Sequence, residues 1–151
     1  MNTMEMLLEE YPQYRKKLYI RGFLLTDAEI DDSNYPFYGE WKSFEFGGFG
    51  LLVHPEQRAY VCKTEKLSMA LVGHAYDPFT MQSDENDIIA ELAALASDEE
   101  EKFFEKLNEL TGTFAIMWFD GSLHVAGDAV GMMTVFYAEK NGIDPKDIAV
   151  V

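Results

Sequence analysis

Cys62 is the only thiol in the chain and its strongest intrinsic nucleophile. It sits in "AYVCKTE", where Lys63 and Arg58 are the cations that could favour a thiolate. No His or Asp adjoins it in sequence to take its proton. Cys62 therefore reads as a small, half-buried strand residue and only as a remote catalytic candidate. His54, His74 and His124 lie far apart, with no H-x-x-H or H-E-x-x-H spacing, so no metal site is expected. In "GHAYDP", His74 and Asp77 stand at the end of a strand; they allow a polar pair, and a structural turn is the simpler reading. Asp31, Asp32, Asp84 and Asp87 miss the D-x-D-x-D-G calcium spacing and read as loop and helix-cap charges. "FGGFG", residues 46 to 50, has no following Lys-Ser/Thr and so is no phosphate loop. No cofactor is implied.

The elements that would hold these residues follow from periodicity and punctuation. Residues 4 to 17 have apolar side chains at helical spacing, interrupted by Pro12. "LYIRGFLL", residues 18 to 25, predicts a strand, and the Asp-, Asn- and Pro-rich segment after it an exposed acidic loop. "FGGFGLLVH" reads as a Gly-rich lead into a strand, "PEQR" as a turn, and "AYVCKTE" as the return strand of a hairpin. "KLSMALVGHAY" predicts a strand stopped at Asp77-Pro78. Two amphipathic helices follow at 83–95, capped by Ser83, and at 97–110, capped by Ser97 with Phe103, Phe104, Leu107 and Leu110 inward. "GTFAIMWFD" and "SLHVAGD" form a hairpin through Asp120-Gly121. "MTVFYAEKNG" predicts a further strand ending at Asn141-Gly142, with "DIAVV" beginning its partner. Meandering strands with helices grouped together predict an α+β fold, not a doubly wound α/β sheet.

The 151 residues suit one domain, and 48% apolar residues suffice for a core. The formal net charge of −15 repels phosphate backbones and anionic lipid, which argues against nucleic acid and membrane surfaces as partners. A single Cys excludes an intramolecular disulfide and suits a reducing compartment. With no signal-peptide pattern and no long apolar run, the expected location is cytoplasmic.

Residues 107 to 137, "LNELTGTFAIMWFDGSLHVAGDAVGMMTVFY", resemble the end of the glutaminase domain of asparagine synthetases. Members carry a pattern close to L-x-G-x-F-A-F-A-x-x-D, a short turn, then L-x-x-A-R-D-x-x-G-x-x-P-L-Y-Y. Leu110, Gly112, Phe114, Ala115 and Asp120 match the first half; Ala126, Asp128, Gly131 and Tyr137 match the second. "MALVGHAYDP" is similar to the family strand ending N-G-E-x-Y-N through Gly73 and Tyr76. "SDENDIIAEL" is similar to its S-D-T-E-V-I helix start through Ser83, Asp84 and Ile88. The likeness spans residues 67 to 140. It implies the N-terminal-nucleophile (Ntn) hydrolase fold of class II glutamine amidotransferases, a four-layer αββα sandwich of two antiparallel sheets.

The same resemblance implies a lost activity. The family nucleophile is a chain-terminal Cys whose own α-amine activates the thiol. Here the chain starts Met1-Asn2-Thr3, and the family's C-G-I-x-G maps onto "LYIRG", with Leu18 in the nucleophile's place and Gly22 at the shared Gly. The oxyanion-hole Asn becomes Val72, while Gly73 remains. The Arg and the Lys-Pro positions of the last motif become Gly127 and Met133-Thr134. The expectation is a domain with no catalytic residue and a vestigial pocket of Gly73, His74, Asp77 and Asp128. It would serve as a scaffold or regulatory domain, at the front of a longer ATP-dependent amide-forming chain or beside such a partner. The competing expectation is a free-standing module whose pocket takes a small amide or amino-acid ligand or a protein. An active amidohydrolase using Cys62 or Thr3 is the weakest alternative.

Overall fold

The computed structural model describes residues 3–29, 37, 40–139 and 148–150. The architecture is α+β with two antiparallel sheets. Helix α1 (Thr3–Glu10) buries Leu8 and ends before Pro12, which opens a 3-10 turn over Pro12–Lys17. The expected strand at 18–25 starts late, at Phe23. Tyr19 (φ 48°) and Arg21 (φ 59°) are left-handed, and the Gly22 N–H donates to the Tyr19 carbonyl at 2.7 Å. "LYIRG" is thus a tight turn, and only Phe23–Thr26 forms β1.

The segment before the glycines also departs from expectation. Lys42–Phe46 is a strand, β2, and Gly47-Gly48 is the two-residue turn that folds it onto β3 (Phe49–Val53). Both glycines have positive φ, as that turn class demands. β3 also pairs with β1, Phe23 opposite Val53 and Thr26 opposite Gly50. β1 continues the sheet through β9 (Ile148–Val150) to β8 (Tyr137–Glu139), which is shorter than the predicted strand. Asn141-Gly142, Asp31 and Asp32 lie outside the described residues.

The hairpin expected between β3 and "AYVCKTE" does not form. β4 (Ala59–Lys63) pairs with β5 (Ser68–Tyr76), then β6 (Thr111–Phe119) and β7 (Leu123–Gly127), in a second sheet. Residues 54–58 are the crossover between sheets, and side-chain bonds hold them. Gln57 donates through Nε2 to the Arg21 carbonyl at 2.6 Å and accepts from the Arg58 N–H at 3.0 Å. The Glu56 N–H donates to His54 Nδ1 at 3.0 Å, so Nε2 carries the hydrogen given to the Lys16 carbonyl, also at 3.0 Å. His54 is 2% exposed and edge-on to Trp41, which makes it structural. Alternating apolar residues fit a strand in either sheet; these polar anchors decide which.

The inner faces of the two sheets share one core: Phe23, Leu25, Phe46, Leu51 and Val53 meet Ala70, Val72, Ala115 and Met117. The outer face of the second sheet carries helices α2 (Glu85–Asp98) and α3 (Glu100–Glu109), with Ile88, Leu92, Phe103 and Leu107 on Leu71, Phe114 and Trp118. Asp84, not Ser83, caps α2, accepting from the Asn86 N–H at 2.9 Å. Ser97 lies inside α2, its hydroxyl on the Ala93 carbonyl, so α3 begins without a side-chain cap. Phe103, Lys106 and Leu107 form the inward stripe of α3, and Leu110 is buried just after its end. Phe104, expected inside, is 44% exposed.

Candidate functional site

The cleft gathers at one end of the sandwich. It is built from the turn at Tyr19–Phe23, the crossover at Glu56–Arg58, the late part of β5, the start of β6 and the loop after β7. Two cavities open there, of about 520 and about 580 Å³. They share Arg21, Gln57, Thr113 and Met133, so they are two ends of one cleft. The first end is apolar, walled by Phe23, Leu24, Phe37, Trp41 and Met132. The second carries Glu56, Arg58, Gly73 and His74.

Gly73 of the expected pocket does line this cleft. Its φ is +105°, and a Cβ there would stand 2.2 Å from the Thr113 carbonyl oxygen and 2.8 Å from Met133 Cε. Gly112, across the ladder, is equally constrained at φ +132°, with the His74 carbonyl oxygen 2.1 Å from a Cβ. Both positions need glycine because the two strands approach too closely for any side chain. The Gly73 N–H donates to the Arg58 carbonyl at 2.9 Å. It is therefore engaged within the fold rather than presented to a ligand.

Asp128 works at a distance from the cleft wall. Its buried carboxylate accepts from the N–H groups of Val130 (3.2 Å), Met132 (2.9 Å) and Met133 (2.9 Å). Burial pushes its carboxyl pKa up, but the N–H groups of Met132, Met133 and Val130 outweigh that and hold it below the ordinary value. The consequence is positional: Asp128 fixes the loop that lays Met133 over Gly73. Met133–Phe136, expected within a strand, belong to this loop.

His74 and Asp77 do not pair with each other. His74 Nδ1 hydrogen-bonds Glu85, whose side chain is 7% exposed and also lies 3.7 Å from Arg58. Burial raises the Glu85 pKa, but the bond from His74 reverses the sign and leaves it lowered. Burial and the Glu85 charge raise the Tyr60 hydroxyl alongside. Asp77 is fully buried away from the cleft. It accepts from the N–H groups of Phe79 and Thr80, from the Thr80 hydroxyl and from Lys106. The Lys106 ammonium holds its carboxyl far below the usual range, against the effect of burial. Asp77, expected in the vestigial pocket, lines neither end of the cleft and instead holds the turn after β5.

Cys62 faces Met69 across the β4–β5 ladder, half-buried against the helix-side core, and lines neither end of the cleft. His124 stacks on Trp118 with ring centroids 4.9 Å apart and bonds Asp120 at 3.1 Å. Among the described residues, no group of three or more His, Cys, Asp or Glu side chains is placed to hold a metal. The sequence pointed to Gly73 and His74 but not to Arg21, Gln57, Thr113 or the Glu85 carboxylate. Glu85 gave a weak signal, an acid in a helix first turn; its bond to His74 joins α2 to β5. No protein-family model matches the chain, and no curated protein matches it.

Proposed function

We propose that this chain is a catalytically silent glutaminase-like domain, related to the front domain of asparagine synthetases, that acts as a scaffold or regulatory domain for ATP-dependent amide formation. The four-layer Ntn-type sandwich is part of the proposal. Two sheets stacked on a shared core, with α2 and α3 over one of them, support it. The observation that carries the reading is the state of the reaction centre. Leu18, at the nucleophile's place, has its backbone N–H in a peptide bond and donating to the Arg15 carbonyl at 3.4 Å, with a helix and a 3-10 turn before it. Such a position offers neither a thiol nor a free amine to activate one. Val72, at the oxyanion Asn position, is fully buried between the sheets, and the Gly73 N–H already has a partner. Nucleophile, base and both oxyanion donors are missing together.

A second reading, a free-standing ligand-binding module, is favoured by the 520 Å³ apolar cavity, which lies within the roughly 300–1,000 Å³ span of small-molecule sites. Reading the gene beyond the Val151 codon tests between them. Continuation into an S-G-G-x-D-S pyrophosphate loop supports the scaffold of an amide-forming synthetase. A stop codon, with no such synthetase co-purifying, favours the module.

A further inference from the structure

We infer that the cleft binds a small organic carboxylate with an apolar, aromatic-sized body, a ligand unlike the zwitterionic glutamine expected of a glutaminase site. The inference does not depend on the synthetase reading. It rests on the division of the cleft into two unlike ends. The inner end is walled mainly by Phe23, Leu24, Phe37, Trp41, Met132 and Met133, a surface that rewards burial of hydrocarbon, with Gln57, Thr113 and Thr134 as polar groups at its margin. The outer end carries two guanidinium side chains, Arg21 and Arg58.

Charge decides what kind of head group the outer end accepts. The chain as a whole is strongly acidic, with a net charge of −15, yet this cleft is lined by two arginines against one acid, Glu56. The acids near them have other partners. Glu56 lies 4.0 Å from Lys17; Glu85 is buried under His74 and takes Arg58 at 3.7 Å, so Arg21 is the cation that meets a head group first. Arg21 lines both cavities, so a ligand whose body fills the apolar end has a cation within its lining. Guanidinium recognises carboxylate by paired, charge-assisted hydrogen bonds. The turn fixes the backbone from which Arg21 projects: its carbonyl accepts from Gln57 Nε2, and its φ is 59°.

The test is calorimetric titration of the full chain with 4-phenylbutyrate, 4-phenylbutanol, 4-phenylbutylamine and L-glutamine, together with methyl spectra of methionine-labelled protein. We expect saturable binding of the carboxylate, about tenfold weaker binding of the alcohol and none of the amine or of glutamine. The methyl groups of Met132 and Met133 should shift on binding while Met69 and Met117, away from the cleft, do not. Arg21→Gln changes an exposed side chain and should weaken the carboxylate and leave the alcohol unchanged; Arg58→Gln, which also removes a partner of the buried Glu85, is read beside its urea midpoint and should weaken the carboxylate more than the alcohol. Absence of saturable carboxylate binding, equal affinity for acid and alcohol, preference for the amine, or competition by glutamine would overturn the inference. Ammonia release from glutamine bears on the silent-site reading alone, so the two claims fail separately.

Discussion

At the scale of single residues, the strongest electrostatic feature is one the sequence did not reveal. Lys106 is 7% exposed and Asp77 fully buried, and they pair across from α3 to the end of β5. Glu91 adds a second contact to Lys106 at 3.1 Å. Removing one member leaves the other charge buried alone, which costs about 3–5 kcal/mol. Lys106→Met should therefore lower the urea midpoint strongly, and adding Asp77→Asn should restore part of the loss; additive losses would show that the pair is not coupled. The folded-state pKa of Asp77 is depressed, so its stabilisation is present above the ordinary carboxylate value of about 3.9 and is lost as pH falls below it. Lys106 is shifted upward, so its part persists through neutral pH and disappears only above its raised value. Asp77→Asn should flatten the acid limb of a stability-against-pH curve below about pH 4 and leave the neutral region parallel. Asp128 offers a parallel case. Asp128→Ala removes the acceptor for three amides and should cost about 1.5–3 kcal/mol, with faster hydrogen exchange at Met132 and Met133. Unchanged exchange there would show that the loop is held some other way. Asp128 was legible as a turn former; its control of Met133 was not, because that needs the close approach of the loop to Gly73.

At the scale of elements, local signals carried far and then failed at a definite place. The hairpin through Asp120-Gly121, the helix after Ser83-Asp84 and the strand ending at Asp77-Pro78 all have turn or cap chemistry that acts within a few residues. The β3–β4 hairpin had the same local look and is absent, because pairing partners are chosen by tertiary anchors such as Gln57 on Arg21. β2 was missed because "KSFEF" is short and partly polar. The glycines at 73 and 112 were visible as matches to a family pattern; the physical reason is a ladder with no room for a side chain. Gly73→Ala or Gly112→Ala should destabilise by at least about 2 kcal/mol, combining positive-φ strain with collision against a backbone oxygen. Thermal unfolding checks this, and near wild-type stability would mean that the strands can separate there without cost.

At the scale of the whole molecule, the sequence supported an α+β class, and the stacked pair of antiparallel sheets is what the chain forms. The cleft was only half legible. Its polar rim contributed Gly73 and His74 to the expectation, but its apolar chamber comes from a turn, a crossover and a loop that are distant in sequence. Our proposal is that this cleft keeps the frame of a glutaminase-like site without its chemistry. The most direct measurement is ammonia release from L-glutamine by the purified chain, run beside Cys62→Ala. The account predicts no release above the uncatalysed background for either protein. Turnover by the wild-type chain that Cys62→Ala abolishes would contradict it.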